Sequence, residues 1–200
     1  MSRRLFRQVV LLLALLTTAA VAVIALAAAQ GARAPAADPD APHLSFALLR
    51  TDGRPITATD LHGRWAMVYF GYTYCPDICP TEMAHWRRVL DGLGPLAERI
   101  QPVFISVDPA RDTPEVLNGY LPFFDHRIIG LTGATEAALA AARSVGATAR
   151  IEDDPRGNGH YTVTHSISTF VIDPNGQLAF RFQAADPLTE ILAELRARLR

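Results

Sequence analysis

The chain of 200 residues contains no lysine, because all nineteen of its basic residues are arginine. Twenty acidic residues offset them, so the formal net charge is −1. A protein that binds nucleic acid needs a basic surface to meet the phosphates, and this balance excludes that class of partner. The preference for arginine over lysine is typical of a GC-rich bacterial genome and indicates no site.

Cysteine is almost as scarce, with Cys75 and Cys79 as the only two. A disulfide between them would close a loop of about five residues and restrict the unfolded chain by roughly 2 kcal/mol, against about 4.7 kcal/mol for a hundred-residue loop. A cross-link that serves only to hold the fold is therefore a poor explanation of this pair. Since no cysteine lies directly after the apolar run near the N-terminus, where a lipid would be attached, a lipoprotein anchor is excluded as well.

The apolar run itself predicts a membrane anchor. Residues 9–29 are uncharged, and at 1.5 Å per residue they match a hydrocarbon core of about 30 Å. Arg3, Arg4 and Arg7 precede the run, so residues 1–8 are expected to stay cytoplasmic while the rest is exported. A cleaved signal peptide is the alternative, since small residues follow at 27–34, but its apolar region usually spans only about 7 to 15 residues.

This arrangement predicts a single-pass protein of the inner membrane whose C-terminal domain lies in the periplasm or outside the cell. Residues 30–42 are rich in Ala, Pro and Asp and predict a flexible linker. Residues 43–200 are then one domain of ordinary size, in a compartment that is oxidising. The chain shows no internal repeat.

The exported domain alternates strand and helix patterns. A hairpin is expected within 44–61, around Asp52-Gly53. Buried strands are predicted at 65–71, 102–107, 128–131, 168–172 and 178–182. Helices are predicted from Pro76 or Pro80 to about 93, at 114–124, at 135–145, and from 187 onward. This order predicts an α/β fold with a central mixed sheet flanked by helices.

Cys75 and Cys79 lie where the strand at 65–71 gives way to the first helix. A helix N-terminus presents unpaired N–H groups and the positive end of the helix dipole, which favours thiolate over thiol. Sulfurs about one helical turn apart are close enough to share one metal ion or to form a disulfide. Asp77, between them, favours the turn and is not counted as a ligand.

Two thiolates alone leave most metals under-coordinated, so a histidine or oxygen ligand is expected. Two sulfurs and an imidazole suit copper, whereas a closed zinc site would lack its fourth ligand. His85 lies on the predicted helix and points away from its first turn. His160 and His165 fall in or just after the loop before the strand at 168, but the residues alone do not choose among the six candidates: His43, His62, His85, His126, His160 and His165.

Three sequence blocks, in order, resemble those of the Sco/SenC proteins, which are membrane-anchored copper chaperones of cytochrome c oxidase assembly. They are residues 72–83 (YTYCPDICPTEM), 107–114 (VDPARDTP) and 161–176, and the resemblance covers roughly 42–199. It implies a thioredoxin-like fold with Cys75, Cys79 and His165 as ligands of Cu(I) or Cu(II). Asp108 matches an acidic position near the family's site, although a turn or cap beside Pro109 explains it equally well.

The resemblance also implies a partner and leaves one difference. The partner would be the apo subunit that carries the dinuclear copper site of cytochrome c oxidase, with periplasmic copper carriers or thiol reductants as further contacts, and the chain would act as a monomer.

The family commonly has Asp before the histidine, where this chain has Thr164. That difference bears on copper affinity or on the preferred oxidation state, because an acidic residue there would orient the imidazole.

Two hypotheses in which the protein is an enzyme compete with the hypothesis of a copper carrier, which is not an enzyme. A thiol–disulfide oxidoreductase needs only the cysteine pair, with Cys75 attacking and Cys79 resolving the mixed disulfide. A thiol peroxidase is the weakest reading, because the Thr and Pro spacing expected upstream of Cys75 is missing.

Overall fold

The computed structural model describes residues 41–153 and 161–200, which form a mixed α/β fold. Its strands are β1 Ala47–Arg50, β2 Pro55–Thr57, β3 Trp65–Gly71, β4 Ile100–Ser106, β5 Ile129–Thr132, β6 Ala149–Asp153, β7 Tyr161–His165, β8 Thr169–Ile172 and β9 Leu178–Phe182. Its α-helices are α1 Ile78–Leu93, α2 Pro114–Tyr120, α3 Thr135–Ser144 and α4 Leu188–Arg198. Short 3-10 helices occupy Ala58–Leu61, Gly94–Arg99 and Leu121–Phe123.

Seven strands form one mixed sheet in the order β2-β1-β5-β4-β3-β8-β9. The centre is parallel, because β3 pairs with β4 and β4 pairs with β5 in the same direction, while the outer pairs are antiparallel. Residues 67–70 of β3 have no exposed surface, which explains why that strand is a continuous apolar run rather than an alternating one. The segments after β3 and β4 therefore leave the sheet at the same edge, where sites gather in such folds.

The predicted elements agree with this fold to within a few residues. The strand at 65–71 is confirmed at both ends, and both hairpins are confirmed. The predicted strand at 102–107 begins two residues earlier and ends at Ser106. The helix that Thr113 caps ends at Tyr120 and continues as a 3-10 turn to Phe123, because Pro122 interrupts the α-helical pattern.

Three details of the prediction were wrong. The helix predicted to start at Pro76 or Pro80 starts between them, at Ile78, so Pro76 lies in the preceding loop. Gly92 and Gly94 were both expected to stop this helix near residue 93, but Gly92 lies inside it against Leu192 and only Gly94 ends it, with φ of 58°. The antiparallel pair β6–β7 was missed, since no strand was predicted between the helix at 135–145 and the strand at 168–172.

The predicted N-terminal segments, 1–8, 9–29 and most of 30–42, lie outside the described residues. Within 41–153 and 161–200, no helix has the length and apolar character needed to cross a membrane. The described chain begins against the β8–β9 turn, where Leu44 N–H donates to the Gly176 carbonyl at 2.9 Å and Leu178 N–H donates to the Pro42 carbonyl at 2.8 Å.

A buried carboxyl group joins α1 to the sheet. Glu82 is 2% exposed and accepts hydrogen bonds from the Thr169 hydroxyl at 2.7 Å and from Ala184 N–H at 2.9 Å. The Trp86 indole N–H donates to the same Thr169 oxygen at 2.7 Å. Burial raises the pKa of Glu82 to about 7, and the two hydrogen bonds offset only part of that rise.

Glu82→Gln should remove a pH dependence from stability. Because the pKa of Glu82 is higher in the folded chain, the unfolded chain ionises first, and stability should fall as the pH rises from about 4.5 to 7 and level off above. Denaturant unfolding between pH 4.5 and 8 should show the variant gaining about 3 kcal/mol relative to wild type across that window. The exposed Glu98→Gln is the matched control, and parallel curves for wild type and Glu82→Gln would contradict this prediction.

Candidate metal centre

The two cysteines lie at the corner between β3 and α1, one outside the helix and one inside it. Cys79 is the second residue of α1 and is fully buried, while Cys75 lies in the loop and is partly exposed. Cys79 N–H donates to the Cys75 sulfur at 3.4 Å. Pro80 follows at the third helical position, where the backbone N–H that proline lacks has no helical partner.

His165 reaches this corner from the last position of β7. Its Nε2 lies 3.4 Å from the Cys79 sulfur, and its Nδ1 lies 2.9 Å from the Ser166 carbonyl. A carbonyl only accepts, so Nδ1 carries the proton and Nε2 presents its lone pair to the sulfur. The side chain of Thr164 is exposed, as the alternation of a strand dictates, and the orienting role falls to the Ser166 carbonyl.

Cys75, Cys79 and His165 bring their ligand atoms within 4.8 Å of one another. Within the described part of the chain, no other three side chains of His, Cys, Asp or Glu converge in this way. His43, His62, His85 and His126 lie elsewhere, and His160 falls outside the described residues. Asp77 is exposed at the N-cap of α1 and is not part of the cluster.

The two thiols differ in acidity, which the sequence did not predict. Burial raises the pKa of Cys75, but hydrogen bonds from the backbone N–H groups of Cys79, Asp77 and Ile78 outweigh it and lower that pKa overall. For Cys79 burial dominates and raises the pKa far above its ordinary value. The expectation that the helix terminus favours both thiolates is therefore wrong for Cys79, which is a neutral thiol in the metal-free protein.

Two tyrosines hold the imidazole in place. The rings of Tyr69 and Tyr72 both contact His165 edge-on, with ring centroids 5.7 Å apart and interplanar angles of 89° and 90°. The Tyr69 hydroxyl also points to the Cys79 sulfur at 4.0 Å. Burial lowers the pKa of His165, so the ring stays neutral and available as a ligand. Sequence reasoning missed both tyrosines, although their place in and just after β3 carries them to this edge.

Asp108, Arg111 and Tyr161 form a second cluster, here called the latch. Asp108 has no exposed surface and accepts a hydrogen bond from the Tyr161 hydroxyl at 2.6 Å and another from Arg111 Nε. The Arg111 guanidinium lies over the Tyr161 ring, 4.0 Å from its centroid. Asp108 is thus a structural acceptor and lies outside the sulfur–imidazole cluster.

The latch matters to the centre because of where Tyr161 lies. Tyr161 and His165 are four residues apart on β7, so their side chains share one face of the strand. Burial, and after it the hydrogen bond to Asp108, raises the pKa of Tyr161 to about 12. A bond between the start of β7 and the loop after β4 therefore restrains the strand that carries the imidazole.

The donor set has a clear chemical preference. Two thiol sulfurs and one imidazole are ligands of soft metal ions and match Cu(I) or Cu(II) in type. A structural zinc site would need a fourth protein ligand, and the described residues offer none within the cluster. Both cysteines are free thiols, so a disulfide between them is the competing use of the same sulfurs.

Comparison with known proteins places the chain in a family. A model of the SCO1/SenC family matches residues 35–200. Protein SCO2, mitochondrial, of Saccharomyces cerevisiae is 42% identical over 135 residues, which are 66% of this chain and 44% of that protein. The chain spans about half the length of the curated relatives it matches.

Solved structures agree with this assignment. The structure of Bradyrhizobium japonicum ScoI with copper bound superposes with a TM-score of 0.70 at 32% identity, covering 79% of this chain and 99% of that one. The solution structure of apo Sco1 from Thermus thermophilus has a TM-score of 0.71 at 33% identity, covering 81% of this chain and 94% of that one. The central mixed sheet with its helices is thus the thioredoxin-like fold of the Sco proteins, and the chain belongs to the SCO1/SenC family.

Proposed function

We propose that this protein is a copper-binding chaperone of cytochrome c oxidase assembly, with copper held by Cys75, Cys79 and His165. The observation that carries the proposal is the convergence of two sulfurs and one imidazole nitrogen within 4.8 Å. Family membership supports it, since solved Sco structures from Bradyrhizobium japonicum and yeast contain copper. Copper is here the cargo, to be received and passed on.

The difference in exposure and pKa between the two thiols suits a protein that binds copper and then releases it. Cys75, partly exposed and with a lowered pKa, is the sulfur that meets an incoming ion first. Cys79 is buried and protonated, so loading must displace its proton, and each ion that binds there releases one proton to solvent. Return of that proton favours release, which makes the inner sulfur a reversible ligand.

The recipient is proposed to be the apo subunit that carries the dinuclear copper site of the oxidase. Large apolar side chains near the cysteine loop are exposed, and they would suit a protein surface: Tyr74 66%, Ile78 42% and Phe123 82%. Tyr74 and Phe123 line one shallow groove together with Thr73 and Val116. A partner that docks there could exchange ligands with the copper through Cys75.

Membrane attachment completes the proposal. Residues 9–29 are proposed to span the inner membrane once, with residues 30–42 as the linker to a periplasmic domain. An anchored carrier stays close to a membrane-bound recipient, which raises its effective concentration without any added contact.

A thiol–disulfide oxidoreductase is the second candidate, favoured by the same asymmetry. The Cys75 thiolate would attack a disulfide of an exported partner, expelling one partner thiolate and forming a mixed disulfide. Cys79, losing its proton, would then attack the Cys75 sulfur and release the second partner thiol, so the partner gains two electrons. An exported thiol reductant would restore the pair. This activity has no use for His165 as a ligand.

Replacing His165 should separate the two candidates. The wild-type chain, reduced, should bind one copper ion and show sulfur-to-copper charge-transfer absorption that Cys75→Ala abolishes. His165→Ala should weaken Cu(II) binding beyond the roughly 10- to 100-fold typical of losing an outer-shell partner. His126→Ala is the matched control, because that side chain is 89% exposed. Failure of the wild type to bind stoichiometric copper would refute the proposal.

Copper affinity should rise with pH. The pKa of Cys79 lies well above neutrality, so its proton must leave whenever copper binds between pH 6 and 8. The apparent dissociation constant for Cu(I), measured against a competing chelator, should fall about tenfold per pH unit for each proton released. A dissociation constant that stays level across this range would show that the inner sulfur is not a ligand.

Tyr161→Phe tests the latch. The variant keeps the aromatic ring over Arg111 but removes one hydrogen bond from the buried Asp108 carboxylate. That removal should lower the free energy of unfolding by about 1 to 3 kcal/mol. It should bind one copper ion as before but release it several-fold faster, with an altered Cu(II) spectrum. Tyr74→Phe is the control, since the Arg111 guanidinium carbon also lies 5.0 Å from the centroid of that exposed ring. Equal release rates for the variant and the wild type would assign the latch a role in folding alone.

A further inference from the structure

A second cavity lies at the other end of the sheet. It has a volume of about 530 Å³ and is lined by the β1–β2 hairpin, the 3-10 helix after it and the starts of β4 and β5. Four arginines face it, Arg50, Arg54, Arg64 and Arg127, with Asp60 as the one acidic lining residue. Since the parallel strands run from this end toward the cysteine corner, seven-residue β3 separates the two by about 20 Å.

The carboxylates nearby do not neutralise all four guanidinium groups. Asp52 pairs with Arg54 at 2.6 Å, and Asp125 pairs with Arg127 at 2.6 Å. Asp60 is held by its own hairpin, where it accepts from Thr57 N–H at 2.7 Å and from the Thr57 hydroxyl at 2.8 Å. The cavity therefore retains two guanidinium groups that no carboxylate side chain of the described residues hydrogen-bonds, although one of them, Arg50, shares Asp52 with Arg54 as an ion pair at 3.5 Å.

Those two cations are Arg50 and Arg64. Arg50 Nε is buried and has no hydrogen-bond partner within the described residues; the Asp52 oxygen 3.5 Å away already pairs with Arg54. Among the described residues, the Arg64 guanidinium donates only to the Glu98 backbone carbonyl, at 3.2 Å. A buried donor left unpaired costs free energy, so this cavity is built to receive an acceptor.

We propose that this cavity binds a phosphate-type oxyanion. Guanidinium groups match the geometry of phosphate, because their parallel N–H donors meet two of its oxygens at once. The cavity has room for a phosphate group and a small ester substituent. Pro55, Ile56, Leu61 and Ile129 supply the apolar part of the lining, against which such a substituent could pack.

The cavity lies at the end of the sheet where the described chain begins. Arg64 follows Gly63, whose N–H donates at 2.9 Å to the Pro174 carbonyl in the turn that also holds residues 42 and 44. Pro42, the last residue of the proposed linker, therefore lies at this end, and a linker of thirteen residues spans at most about 45 Å. The phosphate could belong to an anionic lipid headgroup or to a soluble ester, and the same oxyanion chemistry serves both.

Protection from phenylglyoxal, which modifies arginine, tests the proposal on the full-length chain. The chain is placed in nanodiscs of pure phosphatidylcholine, with or without inorganic phosphate, and in nanodiscs containing phosphatidylglycerol. Peptide mass spectrometry then gives the modification rate at each arginine. Arg64 and Arg50 should be modified at least fivefold more slowly with the bound anion, and Arg181, exposed on β9, should be unaffected.

The variant and the ionic controls decide the interpretation. Arg64→Gln should abolish the protection of Arg50 while copper binding stays at the wild-type level. Protection by inorganic phosphate alone supports a soluble ester as ligand, and protection only with phosphatidylglycerol supports a headgroup. Equal protection by chloride at matched ionic strength, or no protection in either arm, would overturn the proposal.

Discussion

The metal centre depends on a close approach at the end of β3. Gly71 ends that strand, and a Cβ atom there would lie 3.0 Å from the Cys79 sulfur, 2.8 Å from the Tyr69 ring and 3.0 Å from the Phe104 ring. Nothing larger than glycine fits, because two of these contacts are with rings packed in a core that has no exposed surface. The missing side chain lets the inner sulfur pack against the sheet, and burial of that sulfur sets its acidity and its distance from His165.

This contact explains why the pKa values of the two thiols shift in opposite directions. A helix terminus alone would favour thiolate at both positions, but the field of a few N–H groups does not offset complete desolvation. For Cys75 burial raises the pKa, but the hydrogen bonds from backbone N–H groups together outweigh it; for Cys79 burial dominates and the pKa rises. A carrier and an oxidoreductase would both use one accessible and one sheltered sulfur. The imidazole bears on the choice between them, because its Nε2 lies 3.4 Å from the inner sulfur and adds a third ligand atom beside the two sulfurs.

The sequence predicted what local patterns encode. The strand at 65–71 was found to the residue because a run buried on both faces has no polar interruption, and the cysteine corner followed from the prolines around it. The choice of His165 among six histidines came only from resemblance, because 86 residues separate it from Cys79. The β6–β7 pair that delivers it escaped detection, since β6 is polar and largely exposed and so resembles a loop. The pKa of Cys79 depends on tertiary burial, which no local pattern reports.

The two ends of the sheet are separate in a way that bears on function. Strands β3 and β4 lie in the buried, closely packed centre of the sheet and form a rigid spacer. The side chains at the cysteine end of these strands do not contact those at the arginine end. Substitutions about 20 Å apart without shared partners should act additively, so the arginine cavity and the metal centre can change independently. If a phosphate at a membrane surface occupies the arginine end, the rigid strands point Cys75 away from the lipid. Under the proposed function, a carrier held in this way would present Cys75, its outer sulfur, toward a membrane-bound recipient, so orientation would add to affinity in positioning the copper for transfer.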